Sequence, residues 1–98
     1  MQPEAIGEAR EWLDRAELDL RLAERALRIP PALAGGAAYH AQQAAEKALK
    51  AFLAAHNAPF PHTHNLSLLL PPCQVLDTGF TQFSSVAAEL TPFAIQLR

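Results

Sequence analysis

The 98 residues carry a formal net charge of −2, half are hydrophobic and 18% are charged, which describes one small globular domain rather than a disordered chain. That balance excludes a general pull toward polyanions, so any contact with nucleic acid or an anionic membrane has to be a local patch. A single cysteine, Cys73, excludes an internal disulfide. The start MQPEAIGEAREW has neither the basic leader nor the apolar run of a signal peptide, and no apolar run approaches the roughly 18 residues of a membrane span, so a cytoplasmic protein is predicted.

The first predicted element is a helix from about Pro3 to Arg28. Ile6, Ala9, Leu13, Ala16, Leu20, Ala23 and Leu27 alternate at spacings of three and four, the pattern of one apolar stripe. Pro3 suits a first helical turn, and Glu4 and Glu8 complement the positive end of the helix. Trp12, Leu18 and Leu22 lie beside the stripe, so the apolar face is broad enough for more than one neighbour. The mixed charges of Glu11, Asp14, Glu17 and Asp19 with Arg10, Arg15, Arg21 and Arg25 predict a solvent face.

Pro30 and Pro31 in "IPPALAGG", with Gly35 and Gly36, should end that helix, and a second is predicted from about Ala37 to His56. On a wheel of about 100° per residue, Ala38, Ala41, Ala45, Ala48, Phe52 and Ala55 share one side. His40, Gln43, Lys47 and Lys50 share the opposite side. The alanines are the expected inner, close-packed face, and the polar stripe the outer one.

"NAPFPHTHN" stops the second helix at Asn57, and Thr63 or Asn65 can cap a short third helix through "LSLLL" that Pro71 and Pro72 should interrupt. An irregular turn at Asp77 to Gly79 precedes a fourth helix from about Thr81 or Ser84. Val86, Leu90, Phe93 and Leu97 keep helical spacing across Pro92, so that helix is expected to continue through the proline. With no strand-like alternation, the expectation is an all-α domain of about four helices, the third short, over residues 1–98.

Tyr39, Gln43, Ala44, Glu46, Lys47, Ala48, Lys50 and Ala51, followed by "THNL" at Thr63 to Leu66, resemble the HEPN family of small helical-bundle domains, often encoded beside minimal nucleotidyltransferases. "WLDRAELDLRLAERAL" looks like the opening helix of that family, and "LTPFAIQLR" like the segment leading into its "RYP" motif. The resemblance implies an all-α, antiparallel up-and-down bundle, here of about four helices, frequent homodimers, and roles beside nucleotidyltransferases or in toxin–antitoxin systems. Its ribonuclease members carry an Arg followed a few residues later by a His. No Arg from Arg10 to Arg28 has such a His, and Arg98 is the last residue, so the family's final helix is expected to be missing.

The polar stripe is the candidate binding face. His40, Gln43, Lys47 and Lys50, with His64 beside them, combine cations and hydrogen-bonding groups suited to a nucleotide or RNA phosphate. The plainer alternative is a solvated face with Glu46 and Lys50 paired four residues apart. His56, His62 and His64 lack the spacing of a metal site, and Thr63 with His64 more simply orients the third helix. Cys73, in "LLPPCQVL", should be a buried, inert thiol. Gly35 and Gly36 lack the Lys and Ser or Thr of a phosphate loop, so no cofactor is expected.

Trp12, Leu18, Leu22 and Leu53 exceed what one inner stripe needs and are candidates for a homodimer interface. The resulting expectation is a non-catalytic HEPN-like domain that dimerises and partners a nucleotidyltransferase, or binds nucleotide or RNA phosphate. The alternatives are a ribonuclease toxin whose Arg and His lie at or beyond Arg98, and a general helical interaction module.

Overall fold

The computed structural model describes residues 2–29 and 34–94. Pro30 and Pro31, with Leu97 and Arg98, on which the predicted helix break, the end of the last helix and the ribonuclease alternative rest, lie outside the described residues. Among the described residues four helices form, α1 (Pro3–Arg28), α2 (Ala34–Ala55), α3 (Leu66–Leu76) and α4 (Ser84–Leu90), with 3-10 turns at Thr78–Phe83 and Thr91–Ala94. There is no strand among the described residues.

Helix α1 starts as read, with Pro3 where no intrahelical N–H is needed and Glu4 in the positive first turn. Arg25 and Arg28 complement the carbonyl end. The predicted apolar stripe, however, divides in two. Ala9, Ala16 and Ala23 are buried, joined by Ala5 from outside the stripe, whereas Ile6, Leu13, Leu20 and Leu27 stand at the flank, between 36% and 59% exposed. The partner of α1 is α2, which is itself rich in alanine, and small side chains on both helices let the axes approach and leave bulky neighbours outside the contact. Trp12 meets Lys50 while Asp19 meets His40 and Lys47, so position numbers rise along one helix as they fall along the other. The two long helices are therefore antiparallel.

Helix α2 begins at Ala34, three residues earlier than expected, and takes Gly35 into its first turn. A side chain at Gly35 would meet nothing within 4 Å, so no packing opposes that early start. The helix ends through Asn57 at φ 52, the left-handed conformation asparagine tolerates. There the Asn57 and Ala58 N–H groups donate to the carbonyls of Ala54 and Leu53, both at 2.9 Å.

Residues 56–65 then fold back along α2, bringing His64 beside Gln42 and Glu46. Thr63 Oγ1 accepts from the Asn65 N–H at 3.0 Å, and Asn65 Oδ1 accepts from Ser67 N–H at 2.9 Å, so Asn65 is the cap of α3. Contrary to expectation, Pro71 and Pro72 do not interrupt this helix. Burial of Leu66, Leu69, Leu70 and Cys73 on both sides of the prolines outweighs their intrinsic cost. The carbonyls left without donors belong to Ser67 and Leu68, both on the exposed side where water reaches them.

Asp77 takes an Asx role, accepting from Gly79 N–H at 2.8 Å, and launches the 3-10 turn that leads into α4. Beyond Leu90 the chain stays helical but tightens to 3-10 geometry at Thr91–Ala94, as a proline within the turn favours over an unbroken α-helix. The apolar core lies between α2, α3 and α4. Leu53, Leu69 and Cys73 pack with Phe52, Phe60 and Phe80, and Leu66, Leu70 and Ala87 pack with Ala45 and Leu90. Leu49 touches both groups and joins them.

Candidate functional site

The predicted site residues do come together, but they face inward. His40, Lys47 and Lys50 are each bound by a buried carboxylate, and Gln43 by the Gln42 amide. Asp19, 6% exposed, accepts from Lys47 Nζ through one oxygen, and its other oxygen lies 2.9 Å from His40 Nδ1. Glu46, 3% exposed, accepts from Lys50 Nζ at 3.0 Å and lies 2.8 Å from His64 Nδ1. Each lysine thus has its own carboxylate within a partly dry seam, where both charges cost free energy if left alone.

Amides complete the seam. Gln42, fully buried, donates from Nε2 to the His64 carbonyl at 2.7 Å, and Gln43 donates to Gln42 Oε1 at 2.6 Å. Trp12 is half-buried above it, with Lys50 Nζ 5.3 Å and the Arg15 guanidinium 5.4 Å from its ring. Phe60 meets the Trp12 ring edge-on at 6.4 Å. Among the described residues no buried side-chain nitrogen or oxygen is without a partner. Asp19 on α1 and its partners His40 and Lys47 on α2 fix how the two helices sit against each other, because a slip strands that charge, whereas the Lys50–Glu46 pair lies within α2.

This reverses two expectations. Lys50, predicted on the outer face, is 7% exposed, and Asp19, predicted on a solvent face, anchors the seam. The alanine side is the more open one, with Ala48 exposed and Ala38, Ala41, Ala45 and Ala55 half-buried. The wheel sorts residues into faces correctly but assigns the inside to the wrong one, because α1 seats its own alanines and Asp19 on the polar side of α2. Asp19 was missed as a partner although it falls in register with Ala9, Ala16 and Ala23. Lys47 and His40 keep 22% and 23% of their side chains in water, and His64 keeps 70%.

Leu53, expected at a dimer interface, is instead wholly inside the core against Leu69 and Cys73. Leu18 and Leu22 do face solvent, 58% and 38% exposed. Burial pushes the Cys73 thiol up to about 11, so it stays protonated and chemically quiet near neutral pH. Among the described residues, no three His, Cys, Asp or Glu side chains converge as metal ligands, and no helix is long and apolar enough to cross a membrane.

The other notable feature is an open apolar groove of ≈ 240 Å³ on the alanine side of α2. Ala45, Ala48 and Leu49 form one wall, Leu66 and Leu70 the floor, and Phe80, Phe83, Val86, Ala87 and Leu90 the other wall. Phe83 and Val86 are 46% and 48% exposed at its rim. A groove without polar lining can exclude water from an apolar side chain, but it offers nothing to a phosphate.

Compared with known proteins, residues 9–98 match the family model of the HEPN domain. No match was found among curated proteins or solved structures.

Proposed function

The chain belongs to the HEPN domain family, and from that premise we propose that it is a non-catalytic, homodimeric binding domain that holds a minimal nucleotidyltransferase, as in toxin–antitoxin pairs. The observation that carries this reading is the division of labour across α2. The cations on its polar side are each neutralised by a buried carboxylate, while its alanine side opens into the apolar groove. Binding energy for a partner protein resides in such a groove, where aromatic and aliphatic side chains can be desolvated. The test is co-expression with the minimal nucleotidyltransferase of a neighbouring reading frame. Wild-type protein should co-elute with it, and Val86→Asp, a change at an exposed rim position, should weaken the complex roughly tenfold or more while leaving thermal unfolding unaltered. Failure of the wild type to bind, or full binding by Val86→Asp, would sink the reading.

A second reading, nucleotide or RNA phosphate binding, is favoured by one observation. His64 offers a largely exposed imidazole beside Glu46, with Gln42 on its backbone carbonyl and Gln43 bonded to Gln42 in turn. In this reading Lys47 and His64 hold the phosphate and Gln43 a neighbouring oxygen, whereas Lys50 and His40 act only by positioning. Calorimetric titration with ATP tests it: binding that Lys47→Ala and His64→Ala each abolish would support it, and no heat of binding by the wild type would reject it.

A further inference from the structure

We infer that His64 is a protonation-gated contact for phosphate, and that Glu46 is the positioning residue that creates the gate by fixing which ring nitrogen carries the hydrogen. This gate belongs to the phosphate-binding reading and rests on it. Three buried polar side chains are committed to His64, whose own side chain is 70% exposed. Gln42, fully buried, donates from Nε2 to the His64 carbonyl at 2.7 Å. Glu46, 3% exposed, lies 2.8 Å from His64 Nδ1 through Oε1, and through Oε2 it accepts from Lys50 Nζ at 3.0 Å. Such groups are costly to bury unless bonded, so the ring is held in place from its inner side. Its outer nitrogen, Nε2, has no hydrogen-bond partner among the described residues.

The roles of the two nitrogens follow from Glu46. A carboxylate paired with a lysine only accepts, so Nδ1 is the donor. In the neutral imidazole Nε2 is then a bare lone pair, and it repels a phosphate oxygen, which also only accepts. Protonation places a hydrogen and a positive charge at Nε2, and the same atom becomes a charge-assisted donor to phosphate. The groups around the ring do not replace Glu46 in this role. From α2 come Lys50, behind Glu46, and Lys47, whose charge is held by Asp19 of α1. The loop adds His62, and α3 carries no charged side chain. The isostere inverts the gate. In Glu46→Gln, Lys50 can only donate and so takes the amide oxygen, which leaves the amide NH2 facing Nδ1. Nδ1 must then accept, and the neutral ring carries its hydrogen on Nε2, ready for phosphate without a proton from solution.

The experiment measures ATP affinity of the full chain by calorimetry from about pH 5 to 8, where imidazole titrates. The binding form is protonated, so wild-type affinity should fall as pH rises, by up to about tenfold per pH unit once the ring is neutral, the slope of one required proton. Glu46→Gln should flatten that dependence. His64→Gln, at an exposed position and with an amide that donates at every pH, should flatten it too, and it serves if Glu46→Gln unfolds. ATP, His40 and His62 are common to all three proteins, so their ionisation cancels in the comparison. Nitrogen-15 NMR without ligand should find the hydrogen of neutral His64 on Nδ1 in the wild type and on Nε2 in Glu46→Gln. A wild type that binds no ATP overturns the phosphate-binding reading and the gate with it. ATP binding whose pH dependence survives in His64→Gln or in folded Glu46→Gln, or a wild-type ring with its hydrogen on Nε2, overturns the gate alone.

Discussion

The two sides of α2 are held by different physics. On the α1 side, small side chains bring two helices together around Asp19, Glu46, Lys47 and Lys50, and alignment comes from Asp19, which reaches from α1 to Lys47 and His40 on α2. On the α3 and α4 side, Leu53, Leu66, Leu69 and Cys73 are buried outright and cohesion is hydrophobic. Hydrophobic contact is tolerant of direction, whereas a buried ion pair is not. The seam therefore specifies one arrangement of the long helices, and the oily side is free to remain incompletely closed, which is where the groove lies.

The sharpest way to break that contrast is to remove one charge from the seam. Glu46→Ala strands Lys50, and the loss should be about 3–5 kcal/mol by urea unfolding. Replacing both members, Glu46→Leu with Lys50→Met, should restore most of that stability, since no buried charge is left alone. A cost of the single change under roughly 1 kcal/mol would mean that water reaches the pair and that the seam is not dry.

On the oily side the comparable change is Leu69→Ala, at a fully buried position, expected to cost about 2–5 kcal/mol through lost burial and the cavity left behind. Here no second substitution that removes a polar partner should rescue, because there is none. Asp19→Asn should rank third, at about 1–2 kcal/mol in the same unfolding experiment, because Lys47 and His40 are partly hydrated and water can replace some of the lost interaction. A cost for Asp19→Asn equal to that of Glu46→Ala would erase the distinction between the wetter and drier ends of the seam.

The helices and their caps were readable because local chemistry governs them. Pro3, Asn57, Asn65 and Asp77 act through their own backbone neighbours, so sequence alone places them within a residue or so. Tertiary forces decided the rest. Pro71 and Pro72 look like a stop until the burial of Leu69, Leu70 and Cys73 around them is known. A helical wheel tells which residues share a face, yet which face is inside depends on the neighbour, and α1 carried Asp19, the acid that draws Lys47 in. Asp19, placed in the alanine register, was the one residue in the sequence that marked that choice.

The smallest expected effect tests how dry the oily side is, through the titration of Cys73. The thiol is fully buried, its Sγ lies 3.9 Å from the Leu49 carbonyl, and burial lifts it from 9.0 to about 11. Below the ordinary value the thiol is protonated whether the chain is folded or not, and it adds no pH dependence. Between the two values the unfolded chain gives up this proton while the folded chain keeps it, so the unfolded state binds fewer protons and stability falls as pH rises. Every other ionisable group is common to wild type and Cys73→Ala, so its contribution cancels in the comparison. The difference between the two alkaline stability slopes isolates the thiol, and the variant, although less stable at neutral pH, should lose stability less steeply. In the same solutions an aromatic disulfide reagent should label the folded protein far more slowly than the urea-unfolded chain. Identical slopes together with fast labelling would place water beside Cys73, and the oily side of α2 would then be no drier than the seam opposite.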